Sequence, residues 1–296
     1  MNARIQDSGP RLRDVDAVLG SEVAPVGIFT VRRALPARDR HAVGPWVFLD
    51  HFGPFLATPG RDGVGAHPHA GIETVTYLFS GRNEHRDSAG HVGVVSAGGA
   101  QWMTAGRGIV HAERPLAGSD AERTMHGLQL WTSLPRLLKN TAPRYQRIDA
   151  ASIPSTTRGG ATVRVIAGEL DALRGPAETR MPLLLWHVTV APGAIFEALL
   201  PPDFEAGAYV VSGEGGFGRG NATRVGAAHL VVWDGTGEGV RVTNPAAQPL
   251  ELMVLGGVAA EGPLVFHGPF VMNSVEQVRA AEVAYRTGRM GELAED

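Results

Sequence analysis

The chain of 296 residues is long for one domain and sufficient for two of about 150 residues each. Hydrophobic residues at 44% exclude a disordered chain, and a net charge of −3 presents no broad basic face to nucleic acid. The absence of cysteine excludes disulfides, thiolate metal sites, iron–sulfur clusters and a cysteine nucleophile.

In chain order, the N-terminal stretch MNARIQDSGPRLRDVDAV has no apolar leader segment, and no apolar run approaches the ~18 residues of a membrane helix. A cytoplasmic protein with no membrane partner is expected. The only lysine is Lys139; all other basic residues are arginine, which points to a GC-rich and hence bacterial genome. Short strands rich in β-branched and aromatic residues are predicted at 26–31, 46–50, 73–78, 90–95, 101–104 and 127–131, broken by Gly, Pro and Asn. Arg32, Arg33, Arg38 and Arg40 form the densest positive stretch and are expected on a solvated surface. The Pro-bounded segment 134–143 is the expected linker, which divides the chain into domains 1–140 and 141–296. Strands resume at 162–166, 183–190, 208–211, 229–233, 240–243 and 250–255. One helix is predicted from Val275 to about Thr287, opened by a Ser274–Gln277 capping box and stopped at Gly288, with Val275, Val278 and Tyr285 on one face.

The halves echo each other: Thr76-Tyr77-Leu78-Phe79-Ser80-Gly81 resembles Ala208-Tyr209-Val210-Val211-Ser212-Gly213, 132 residues on. In each, a strand runs into a Ser-Gly turn, as two copies of one β domain would show.

The chemistry-bearing residues lie in the first half. His67-Pro68-His69 and His111-Ala112-Glu113 each place two ligand types at i and i+2, and on a strand such residues point to one side. Two neighbouring strands of this kind can aim three imidazoles and a carboxylate at one divalent ion, a set that suits iron, manganese, nickel, copper or zinc. Glu73 competes with Glu113 for the fourth place, because it shares strand parity with His69. The residues alone leave both open.

His67, His69, Glu73, Gly81 and Gly108-Ile109-Val110-His111 fit the outline of the cupin signature. More closely, HPHAGIETVTYLFSG, GHVGVVSAGGAQWMTAGRGIVHAE, VFLDHFGPF, LQLWTSLPRLLKNTAPRYQ and GPFVMNSVEQVRAAEVAYRTG resemble the pirin family, a bicupin branch, over most of the chain. The resemblance implies an all-β fold of two cupin-type jelly-roll barrels with a short C-terminal helix, the first barrel holding metal and the second metal-free. It implies mononuclear Fe(II) held by His67, His69, His111 and Glu113, with Glu73 in a supporting role. It further implies, as in several members, a dioxygenase that opens flavonols such as quercetin; in such an enzyme Glu113, as ligand or after partial release, could take the substrate hydroxyl proton as catalytic base. The alternative it carries is a regulator that senses iron redox state and binds a protein partner.

In the second half, His187, His229 and His267 are far apart and are expected to be packed or hydrogen-bonded. His126 reads as structural, and Trp102 and Met103 as either an apolar wall of the site or ordinary core. The glycine-rich 213–220 lacks a following helix and a GK[ST] end, so it is read as a β-turn rather than a phosphate loop.

Overall fold

Strands account for most of the chain, the central ones of the large sheets buried on both faces, and antiparallel pairing orders them into two sandwiches. The computed structural model describes residues 10–293 apart from 28 and 59. The first nine residues of the predicted leader-free stretch lie outside the described residues. In the first half, a seven-stranded sheet runs in the order Arg144–Ile148, Ala100–Thr104, Ile72–Ser80, Thr124–Ser133, Trp46–Leu56, Phe29–Leu35, Glu22–Val26. It faces a four-stranded sheet ordered Val64–His69, Ile109–Pro115, Arg82–Asp87, Val92–Ser96. The second half repeats this with seven strands (Val15–Gly20, His229–Trp233, Glu205–Ser212, Leu250–Gly257, Leu183–Val190, Ala161–Ala167, Ser155–Arg158) and four (Ile195–Leu199, Gly239–Thr243, Glu214–Phe217, Thr223–Gly226). The architecture is the expected pair of β-barrels, and the two sequence echoes fall on Ile72–Ser80 and Glu205–Ser212, each third in its sheet.

The two large sheets pack on each other. Val75, Tyr77, Trp102, Trp46 and Leu130 of one half meet Leu185, Tyr209, Leu230 and Leu255 of the other in one buried cluster. Strand pairing crosses the division at 140/141 in both directions. Val15–Gly20 pairs with His229–Trp233 of the second barrel, and Arg144–Ile148 pairs with Ala100–Thr104 of the first. The physical reason is edge protection: each barrel's outer strand pairs with a segment from beyond its own run of chain.

Two local expectations change. The stretch 26–31 is the end of a hairpin rather than one strand, since Val26 pairs with Phe29 and Gly27 takes φ 57°. Gly213–Gly220 forms the strand Glu214–Phe217 and a turn, with no phosphate-binding helix after it. The helix spans Val275–Arg286, with Ser274 Oγ accepting from Gln277 N–H, and Gly288 takes φ 71°. Gln277 Oε1 accepts from Asn273 N–H, one residue before the cap. Its buried face is Val278 and Ala281; Val275 and Tyr285 are exposed, so the apolar face is narrower than predicted. The helix also packs on the first barrel, where Val278, Ala281, Phe270 and Met290 cover Ala70 and Val110.

Candidate metal centre

Val64–His69 and Ile109–Pro115 are hydrogen-bonded neighbours, with His67 opposite His111 and His69 opposite Ile109. The i, i+2 rule therefore operates on adjacent strands. It brings His67, His69 and His111 together with their ligand atoms all within 4.8 Å of one another. Ring centroids are 5.0 Å apart for His67–His69, 4.3 Å for His67–His111 and 5.1 Å for His69–His111. Glu113 belongs to an overlapping group with His85 and His111, within the same 4.8 Å limit. The two groups share His111, through which Glu113 stands next to the other two imidazoles.

The hydrogen bonds assign the lone pairs. His67 Nδ1 lies 2.8 Å from Gly65 O and His69 Nδ1 lies 3.1 Å from Pro269 O. A carbonyl only accepts, so both rings carry their proton on Nδ1 and offer Nε2 to a metal. His111 Nε2 is buried and has no hydrogen-bond partner. An orphaned buried nitrogen is costly unless something else binds it, and a metal ion is the partner that the neighbouring imidazoles fit. Burial holds His69 down to about 3, with the His67 charge adding to the shift and the Pro269 carbonyl opposing it. Burial, then His67, His69 and His85, likewise holds His111 well below the ordinary value. Both rings are therefore neutral near pH 7, the ligand form.

Glu113 is half-buried; its Oε1 contacts Thr76 Oγ1 at 3.0 Å and accepts from the Gln101 amide. Glu73 is fully buried and lies away from this group. Its Oε1 accepts from Thr104 Oγ1 at 2.6 Å, and burial raises its pKa against that hydrogen bond. The parity argument fails at Gly71, where φ is 79° and an added Cβ would stand 2.3 Å from Val271 O. That turn restarts the alternation. On Ile72–Ser80, Thr76 then faces the imidazoles, while Val75 and Tyr77 enter the inter-barrel core.

His67 and His69 open into a cavity of about 520 Å³, lined also by Glu113 and by Phe29, Phe48, Phe52, Phe55, Trp131 and Phe266. Trp131 stacks on Phe48 at 3.9 Å and meets His69 edge-on at 4.8 Å. Trp102 and Met103 are fully buried elsewhere, Trp102 against Trp46, so the apolar wall is made by other residues. Arg33 is not simply solvated: it lines the cavity, lies 4.6 Å over Phe48, and grips both oxygens of the buried Asp50 at 2.8 and 2.7 Å. His126 is structural, 2.8 Å from His51 Nε2. In the second half, His187 bonds Tyr77 and Glu251, His229 bonds backbone carbonyls, and His267 pairs with Glu282.

Several functional groups were not visible in sequence. Pro269 reaches His69 only because the C-terminal segment returns to the first barrel. There Lys139 Nζ donates to Gly71 O, Ser133 Oγ and Val271 O at 2.7–2.8 Å, fastening that segment beside the ligand strand. His85-Arg86-Asp87 repeats the i, i+2 spacing of the ligand pairs and could have been found by that signal. Among the described residues no helix is long and apolar enough to cross a membrane.

Comparison with known proteins identifies the relatives of both halves of the chain. Residues 28–132 match the family model described as Pirin, and residues 185–291 match Pirin C-terminal cupin domain. A pirin-like protein of Solanum lycopersicum is 38% identical over 261 residues, 88% of this chain and 87% of that protein. Pirin-1 of Arabidopsis thaliana is 37% identical over 263 residues, 88% of each. A crystal structure of quercetin 2,3-dioxygenase from Acinetobacter baumannii superposes with a TM-score of 0.86 at 29% identity, covering 96% of this chain and 100% of that one.

Proposed function

The chain belongs to the pirin family, and from that premise we propose that it is a mononuclear iron(II) dioxygenase acting on flavonols such as quercetin. The observation that carries the reading is three converging imidazoles offering Nε2 lone pairs, one of them an orphaned buried atom, with two of the rings, His67 and His69, on the wall of an aromatic-lined cavity. His67, His69 and His111 would hold the ion, with Glu113 as fourth ligand. When bound, such an ion supplies Lewis acidity toward an ionised hydroxyl and, as iron, one-electron redox chemistry.

The chain's own residues do the rest. A cavity of about 520 Å³ is in the range that encloses a small aromatic ligand. Phe48 and Trp131, stacked with 10° between their planes, offer a flat wall against which a planar ring system can lie. Contacts to Thr76 and Gln101 occupy Glu113 Oε1, leaving Oε2 to take the proton of the substrate hydroxyl. The apolar lining keeps bulk water from the carboxylate and the bound anion. The structural resemblance to quercetin 2,3-dioxygenase supports the substrate class.

The test is oxygen uptake and carbon monoxide release by iron-loaded protein given quercetin. Turnover is expected, and His111→Ala is expected to lower it at least about 100-fold, the scale of losing a metal ligand. Absence of turnover with iron, manganese, nickel, copper and zinc, beside redox-dependent capture of a protein partner, would instead establish the regulator.

A further inference from the structure

His67 and His69 direct their Nδ1 protons to backbone carbonyls. His111 does not. Its Nδ1 lies 3.4 Å from Nδ1 of His85, and His85 Nε2 lies 3.1 Å from Asp87 Oδ2. All three side chains are buried. Asp87 sits opposite His111, and His85 opposite Glu113, on the adjacent strand Arg82–Asp87.

The donor count fixes every proton in this chain of contacts. Asp87 accepts from the backbone N–H of Ala89 and His91 and from His91 Nδ1, at 2.9–3.1 Å, as well as from His85 Nε2. A carboxylate with four donors and no further role to play is an anchor. Because His85 spends its proton on Asp87, its Nδ1 holds a lone pair. His111 Nδ1 must then donate to it, and only Nε2 of His111 is left to bind. That is the orphaned atom. Tyr145 stacks on His85 at 4.4 Å and 14°, which fixes the plane of the ring that makes both contacts.

We infer that His85 and Asp87 form a positioning pair that holds His111 in its Nδ1–H tautomer and aims Nε2 at the metal. The strength and geometry of this one metal bond are thereby set by residues outside the ligand set. The inference rests on the metal-centre reading above. His111 is backed by a ring that a carboxylate anchors in turn, and loss of such an outer partner weakens metal binding about 10–100-fold.

The experiment is titration of the full metal-free chain with Co(II) against a chromophoric chelator, with the cobalt d–d absorption spectrum and the melting temperature of the metal-free protein recorded alongside. His85→Phe keeps the stack on Tyr145 and removes the acceptor; it is expected to bind about 10–100-fold more weakly with a shifted spectrum. Asp87→Asn keeps the shape and weakens the anchor, and is expected to fall between His85→Phe and the unsubstituted chain. His111→Ala, the control, is expected to bind least. A merely structural role would lower the melting temperature while leaving affinity and spectrum unchanged, and that result overturns the inference. So does a stoichiometry of two ions falling to one on His85→Phe, because His85 would then be a ligand itself. If the unsubstituted chain takes up no divalent ion, the metal-centre reading itself fails and the positioning role falls with it, whereas strong binding indifferent to His85 and Asp87 sinks only the pair.

Discussion

The two barrels share one strand order, yet their interiors are filled differently. The strands Ile195–Leu199 and Gly239–Thr243 hold the sheet positions of the ligand strands and carry buried Phe196, Ala198, Val240 and Val242. With Phe217 and Trp233 these fill the second barrel with an apolar core. The first barrel has His67, His69, His111 and Glu113 on its ligand strands and keeps a cavity. The scaffold therefore tolerates either filling. What distinguishes a metal centre from a core is a handful of inward positions, and the first barrel gives up packing energy to keep them polar and accessible.

The interface between the barrels is nearly two-fold. Tyr77 reaches His187 at 2.9 Å, and its counterpart Tyr209 reaches His51 at 3.0 Å, each tyrosine bonding a histidine of the other half. The symmetry breaks around these pairs: Tyr77 OH also accepts from Arg164 Nη1 at 2.8 Å, and Tyr209 OH from Ser21 Oγ at 3.5 Å. His187 Nε2 meets the carboxylate of Glu251 at 2.9 Å, whereas His51 Nε2 meets His126 at 2.8 Å.

The contrast in packing gives the largest expected effect. Phe217→Ala, at a fully buried position, should cost about 3–5 kcal/mol. Phe52→Ala, which borders existing space, should cost less than about 2 kcal/mol in the same urea titration. Equal losses would mean that the first interior is packed as tightly as the second.

The broken symmetry predicts acid sensitivity on one side. Burial, reinforced by His126 and Arg32 and opposed by Glu251, lowers His51 from 6.5 to about 4. As pH falls from about 6.5 to about 4, the unfolded chain takes up a proton there that the folded chain refuses. Stability is therefore present above that window and lost on the way down, by about 3 kcal/mol for this group. Replacing His126→Glu gives the first half the tyrosine–histidine–carboxylate order of the second and should flatten that part of the pH–stability curve; an unchanged curve would assign the acid sensitivity elsewhere.

The smallest effect tests the symmetry itself. Tyr209→Phe should cost about 1 kcal/mol, the net value of one hydrogen bond, and Tyr77→Phe more than that, because its hydroxyl also accepts from Arg164 Nη1 at 2.8 Å. Equal falls in melting temperature would show that the Arg164 contact adds nothing to the tyrosine–histidine bond.

Alternation of apolar residues and the Gly and Pro breaks between them are local properties, so the sequence alone determined the β class, eleven of the twelve predicted strands in their rough positions, the repeat at Tyr77 and Tyr209, and the two H-x-H and H-x-E pairs. The strand 183–190 and the strand 229–233 agree with the observed Leu183–Val190 and His229–Trp233 to the residue. The choice between Glu73 and Glu113 was beyond any parity count, because one glycine at φ 79° resets the alternation between His69 and Glu73. Only tertiary structure decided which carbonyl, carboxylate or ring stands behind each imidazole. Pro269, His85 and Lys139 act on the ligand strands across up to 200 residues of chain. Such contacts depend on how strands from distant segments pair, and nothing in a local pattern encodes the partner.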